Sequence, residues 1–218
     1  IRLPTEKAHG IQIMKMCQAF ARSGMEVVLV IPARKNKIKD NAFAYYGVSE
    51  NFKISKIKLF DSLSLFKGRI SYLAESFIFF FGARKKIRRK KYDILYTREK
   101  LASLFFKNYI LEIHNLPKKI SWLDKRSWSR AKKIITLTNL AKKELIENGV
   151  TDNKILIAPD GVDLEQFSLN ISKDQARVKT GLPLDKKIIL YSGSFSLYNW
   201  KGADILANAA RFLDNGCL

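Results

Sequence analysis

Lys133-Ile134-Ile135-Thr136-Leu137-Thr138, the helix-spaced run Leu140 to Asn148 stopped at Gly149, and Lys154-Ile155-Leu156-Ile157-Ala158 form one continuous pattern. An apolar strand is followed by an amphipathic helix and a second apolar strand. Neither strand alternates apolar with polar residues, so both faces are covered, as in a parallel sheet with helices on each side. Val27-Val28-Leu29-Val30-Ile31 repeats this after a helix in which Ile11, Met14, Cys17 and Phe20 recur at helical spacing and Gly24 offers a stop. Between them the sequence predicts a strand over Phe52 to Phe60, a long helix through the seventies and eighties, and strands Tyr92 to Thr97 and Tyr109 to His114. The expected fold is α/β, a parallel sheet with helices on both faces.

From Val162 to Lys187 the apolar rhythm lapses, with Gly181 and Pro183 near its end. Residues 1–168 are expected to form one domain, 169–186 a connection, and 187–218 the opening of a second domain. That opening reads as strand Ile188 to Tyr191, a Ser192-Gly193-Ser194 turn and helix Ala203 to Leu213.

Composition narrows the function classes. Forty Lys and Arg against 20 Asp and Glu leave a formal charge of +20 in 218 residues, while a 47% hydrophobic share suffices for a packed core and argues against a disordered basic tail. Cys17 and Cys217 cannot staple a scaffold and match no zinc spacing, which suits a reducing cytosol. With His9 and His114 as the only histidines, no multi-histidine metal centre is expected. The amino end lacks the apolar core of a signal peptide and does not begin with Met, so the natural start is expected upstream. The apolar stretch Ile70 to Ala83, about 14 residues interrupted by Glu75, is shorter than the about 20 a spanning helix needs. Neither a dinucleotide glycine fingerprint nor a phosphate-binding loop of the Walker type occurs, so nicotinamide and ATP chemistry lose support.

In open parallel sheets the ligand sits beyond the carboxyl ends of the strands. The residues falling there are His114-Asn115, Thr138-Asn139, Pro159-Asp160-Gly161 and Ser192-Gly193-Ser194. His114 can donate to a phosphate, position a sugar, or only cap a strand end. Gly10, read as preceding the first helix, either frees backbone N–H groups for an anion or belongs to an ordinary helix-start loop.

Two groups of residues carry a family resemblance. One is Ile157-Ala158-Pro159-Asp160-Gly161-Val162-Asp163 with Phe167; the other is Ile189-Leu190-Tyr191-Ser192-Gly193 with Trp200-Lys201-Gly202-Ala203-Asp204. Supporting matches are His9-Gly10-Ile11-Gln12, Leu111-Glu112-Ile113-His114 and Ile134 to Thr138. In this order and spacing, and over nearly the whole chain, the sequence resembles the retaining glycosyltransferases of family 4, whose GT-B fold has two Rossmann-like domains, a parallel sheet with helices on both faces in each. The resemblance implies transfer of a sugar from a nucleotide-sugar donor to a saccharide or lipid-linked acceptor, with no metal or other cofactor. It makes Lys201 the cation that meets charge building on the departing diphosphate, with Gly193, Ser194 and Gly10 close to the phosphates. His114 would support the reacting sugar, and Gln12, Asn115, Asp160 and Gly161 would face the cleft or acceptor. Ser194 stands where members often carry Arg, and Asp160 where Asn is common. The family's first strand is expected before Ile1 and its glutamate pair beyond Leu218.

The charge is densest where Phe77 to Phe81 precede Arg84-Lys85-Lys86-Ile87-Arg88-Arg89-Lys90-Lys91. Phe79 and Phe80 with Arg84, Lys85, Arg88 and Arg89 either dock on an anionic membrane surface or belong to a helix whose aromatics pack inward and whose cations are solvated. The first alternative implies a cytoplasmic protein peripheral on the cytoplasmic face. A nucleic-acid partner competes for the charge, but no recognition signature accompanies it. A noncatalytic partner subunit built on a transferase scaffold is the third class, favoured by Ser194. The 218-residue chain by itself is expected to turn over no nucleotide-sugar, and multiple turnover by that purified chain would defeat this expectation.

Overall fold

The structure, a computed structural model, describes residues 2–59, 69–88, 91–192 and 202–213. It divides into two compact units, Ile1–Asp160 and Gly161–Leu218. In the first unit α1 (Ala8–Arg22) leads to β1 (Val28–Ala33), α2 (Ala42–Tyr46), β2 (Lys53–Lys58) and α3 (Arg69–Arg88). Then follow β3 (Tyr96–Thr97), a 3-10 turn Lys100–Leu104, β4 (Tyr109–Ile113), α4 (Trp122–Arg130), β5 (Ala131–Thr136), α5 (Asn139–Glu147) and β6 (Ile155–Ile157). Among the described residues β1 pairs with β2, and a four-stranded sheet runs β3-β4-β5-β6. Every pairing is parallel. The fold is therefore the α/β class the apolar strands predict, with the hydrogen-bonded strands falling into two sheets. The β4–β5 register sets Leu111 opposite Ile134 and Glu112 opposite Ile135.

Local sequence explains the element ends. Thr138, expected to close a strand, instead caps α5 by accepting the Ala141 N–H at 3.1 Å, and β5 correspondingly begins two residues earlier than expected, at Ala131. Gly149, at φ +88°, adopts the left-handed conformation that ends the α5 segment. α4 opens on a capping box in which Ser121 and Asp124 satisfy each other's backbone N–H groups. β3 is shorter than the Tyr92 to Thr97 run suggests, and Tyr92 and Ile94 are exposed.

Burial concentrates in three clusters. Tyr109, Leu111, Trp128, Ile134 and Leu145 fill the space between β4–β5 and helices α4 and α5. Met14, Cys17, Ile31, Tyr46 and Phe52 join α1 to β1 and α2. Phe80 of α3 packs on Leu101 and Ala102. Burial pushes the Cys17 thiol up to about 11 and the Tyr109 phenol up to about 12, so neither ionises near neutrality.

In the second unit, α6 (Leu164–Phe167), α7 (Lys173–Thr180) and α8 (Ala203–Ala209) are helical. α7 lies within the segment expected as a connection; Ser172 and Gln175 form its capping box, and Gly181, at φ +69°, closes it. Residues 188–191 carry no strand, and Ile189 and Leu190 are exposed.

α1 begins at Ala8, so Gly10 is its third residue rather than a residue before it, and its N–H is given to the Lys7 carbonyl at 2.9 Å. Above it, the Thr5 N–H donates to Tyr46 Oη at 2.7 Å and the Tyr46 hydroxyl donates to the Thr5 carbonyl at 2.9 Å. A Cβ on Gly10 would lie 2.2 Å from Tyr46 Oη and 2.7 Å from Thr5 Cγ2. Gly10→Ala should accordingly cost about 1–3 kcal/mol in urea unfolding; an unchanged midpoint would show that Tyr46 moves aside freely.

Candidate functional site

β4 is apolar except at Glu112, a carboxylate that is 3% exposed. Such a group persists only if ionic and hydrogen-bonding partners replace its water. Four contacts do so. Arg98, the residue after β3, grips both oxygens as a fork, with Nε 2.7 Å from Oε2 and Nη2 2.8 Å from Oε1. The Tyr96 hydroxyl donates to Oε2 at 2.6 Å. His114 places Nε2 2.5 Å from Oε1. Two residues apart along the strand and its extension, Glu112 and His114 share a face, which makes this last contact possible.

The network continues outward. Arg98 Nη1 donates to Gln12 Oε1 at 3.0 Å, and the Gln12 amide donates to Asp160 Oδ1. Side chains following β3, β4 and β6 and from the first turns of α1 are thus tied together at the carboxyl edge of the four-stranded sheet. Burial would raise the Glu112 carboxyl, but the Arg98 and Tyr96 hydrogen bonds outweigh it and hold the group below its ordinary 4.5. The Tyr96 phenol moves up, through burial and then through its bond to the carboxylate. His9, on α1, is pushed down by burial and also by neighbouring positive charge that includes Lys7 and Arg98.

The imidazole of His114 faces an ionised acceptor through Nε2. That nitrogen therefore carries the proton and donates to Glu112, leaving Nδ1 as the ring atom not committed to this contact. His114 is about a quarter exposed and Arg98 about a fifth, so the edge is reachable from solvent while its anchor is not.

Of the sequence-predicted site residues, His114, Gln12 and Asp160 meet in this network. Asn115 follows His114 on the surface, and Gly10, two residues before Gln12 in α1, is buried against Tyr46 and Thr5. Gly161 opens the second unit with no neighbour near a notional Cβ. Gly193, Ser194, Lys201 and Arg89 lie outside the described residues. Of the two alternatives for Phe80, the structure shows the inward one: it is buried beside Leu101 and Ala102, and its ring stacks on Phe105 at 5.7 Å. Phe79 is partly buried against the same cluster, while Arg84, Lys85 and Arg88 are exposed.

Sequence reasoning assigned no role to Arg98, Tyr96 or Glu112. One signal was present: an acidic residue in the middle of an apolar strand, with an arginine immediately past the preceding strand. Among the described residues no group of three or more His, Cys, Asp or Glu side chains is gathered as a metal site.

Parallel strands covered by helices, with polar side chains from several connections collected at the carboxyl edge, define a Rossmann-like α/β protein. The sequence profile of Glycosyltransferase Family 4 matches residues 10–166. The chain belongs to that family. Among solved structures it is similar to Anabaena HepE in complex with UDP and glucose, at 12% identity and a TM-score of 0.63, covering 100% of this chain and 57% of that one. The same protein in complex with UDP alone gives 13% identity and a TM-score of 0.65 over 97% of this chain and 56% of that one. The chain thus spans little more than half the length of these GT-B structures, and at such identity the likeness is one of fold. No curated protein matches.

Two outcomes follow from the buried pair. Glu112→Gln leaves the Arg98 charge uncompensated and should lower unfolding stability by about 3–5 kcal/mol at neutral pH. Because the folded-state carboxyl lies below 4.5, its contribution is complete above that pH and is lost as pH falls through the folded value. Urea midpoints across an acid series should therefore fall less in Glu112→Gln than in the parent, and parallel curves would contradict the pairing. In ¹⁵N spectra of a chain with two histidines, His114 should show the Nε2–H tautomer; a dominant Nδ1–H form would contradict the contact.

Proposed function

We propose that the protein transfers a sugar from a nucleotide-sugar donor to a saccharide or lipid-linked acceptor with retention of configuration, on the cytoplasmic face of a membrane and without a metal. The observation that carries this reading is the fixed placement of His114 at a carboxyl sheet edge by the buried Glu112–Arg98 pair, in a chain of glycosyltransferase family 4. HepE structures holding UDP and glucose on a like fold support a nucleotide-sugar as donor.

Departure of the nucleoside diphosphate builds charge on its β-phosphate. Lys201, with backbone N–H groups freed by Gly193 and with Ser194, receives that charge. His114 supports the reacting sugar through the nitrogen Glu112 does not use, and the leaving phosphate accepts the acceptor's proton on the same face. Gln12 and Asp160, already joined, border the acceptor beside Asn115 and Gly161.

The test is a panel of uridine, guanosine and thymidine diphosphate sugars offered to the full-length protein, with anomeric configuration read by NMR. Retained product, His114→Ala reduced about 100-fold in kcat, and turnover unaffected by chelator are expected. Inverted product would overturn retention, and chelator-sensitive turnover the metal-free reading. Donor binding with no transfer to any acceptor would favour a partner subunit, which Ser194 in place of arginine also suits.

A further inference from the structure

The last three turns of α3 carry two faces. Phe80 and Ala83 turn inward and are buried. Phe81, Arg84, Lys85 and Arg88, spaced at three and four residues, share the outward face, and Phe81 is 68% exposed. Beside this face lie two hollows of about 450 and 620 Å³ that share Arg84, Arg88, Leu104 and Phe105. The smaller is also lined by Lys107 and Arg130, which arrive from the segment before β4 and from the end of α4. No acidic side chain lines either hollow. The tertiary fold therefore gathers cations from three separate segments over an apolar floor.

Two other arginines of this unit are neutralised at short range, Arg34 by Glu75 and Arg98 by Glu112. Here Arg130 is tied to the Ser103 carbonyl at 2.9 Å, and among the described residues Arg84, Lys85, Arg88 and Lys107 have no carboxylate partner. Clustered like charges repel, and an anion seated among them removes that cost. A free phosphate would satisfy the cations and leave Phe81, Leu104 and Phe105 unused. An anionic bilayer uses both, with phosphodiester headgroups among the arginines and Phe81 in the acyl boundary.

We infer that this groove is the protein's docking site for anionic phospholipid, with Arg84, Arg88, Lys107 and Arg130 holding headgroup phosphate and Phe81 entering the bilayer. The site deepens the membrane-face part of the proposed function and involves none of the residues given to the transfer reaction. Its failure would leave sugar transfer intact, and a failed transfer assay would leave binding intact.

Co-sedimentation of the intact chain with phosphatidylcholine vesicles, with and without phosphatidylglycerol, tests it. Binding should require the anionic lipid. Arg84→Glu with Arg88→Glu should weaken it about tenfold or more; Lys118→Glu with Lys119→Glu, an equal change of net charge at exposed positions elsewhere, should alter it less than about twofold. Phe81→Ser should weaken binding while preserving its dependence on phosphatidylglycerol. Equal binding to neutral vesicles, or equal losses in the two double variants, would overturn the inference. So would complete displacement by millimolar inorganic phosphate, which would mark a site for the free ion. Binding of an RNA oligonucleotide that depends on Arg84 and Arg88, with no binding to vesicles, would overturn it in favour of nucleic acid.

Discussion

A carboxylate in the middle of an apolar strand is the constraint on which the carboxyl edge of this molecule depends. Glu112 cannot remain charged inside the sheet without Arg98 and cannot be removed without stranding it, so the two segments that carry them are locked in register. The fork is directional as well as strong: both oxygens are fixed by guanidinium nitrogens, and the remaining nitrogen reaches Gln12. A pairing of two hydrophobic residues would have held β3 and β4 together equally well. It would not have aimed an imidazole.

From that anchor the edge is assembled by short steps. His114 takes its ring orientation from Glu112, Gln12 takes its amide orientation from Arg98, and Asp160 takes the amide's other end. Each step is one hydrogen bond, and no metal or disulfide is required for the alignment. The same economy operates in α1, where Gly10 lets Thr5 and Tyr46 close over the first turn and so fixes the helix from which Gln12 projects.

α3 shows how one helix serves two environments. Its buried side, through Phe80 on Leu101 and Ala102, attaches it to the body of the unit, and its other side carries Arg84, Lys85 and Arg88, which have no carboxylate partner among the described residues. The overall charge of +20 is consequently not spread evenly in its effects: where carboxylates meet arginines it builds the interior edge, and where they are lacking it leaves a cationic groove.

The α/β class, the parallel pairing and the positions of most strands were legible because burial on both faces leaves an unbroken apolar run, which periodicity detects directly. Gly149 marked its helix end through local chemistry that needs no partner distant in sequence, whereas the caps at Thr138, read as a strand end, and at Ser121 were seen only in the structure. His114, Gln12 and Asp160 were nominated by position after strands and by resemblance, yet nothing local announced that they touch one network. Arg98 and Glu112 are 14 residues apart and Gln12 and Asp160 are 148 apart; their chemistry exists only once parallel strands bring their carboxyl ends to one edge. The inward turn of Phe80 and the convergence of Lys107 and Arg130 on α3 were likewise set by which neighbours packed there. Pattern and propensity along the chain were enough to specify most elements and their α/β class. Which charges were neutralised and which were left open was decided by packing, because Coulomb and hydrogen-bond energies depend on distances that only the folded chain possesses.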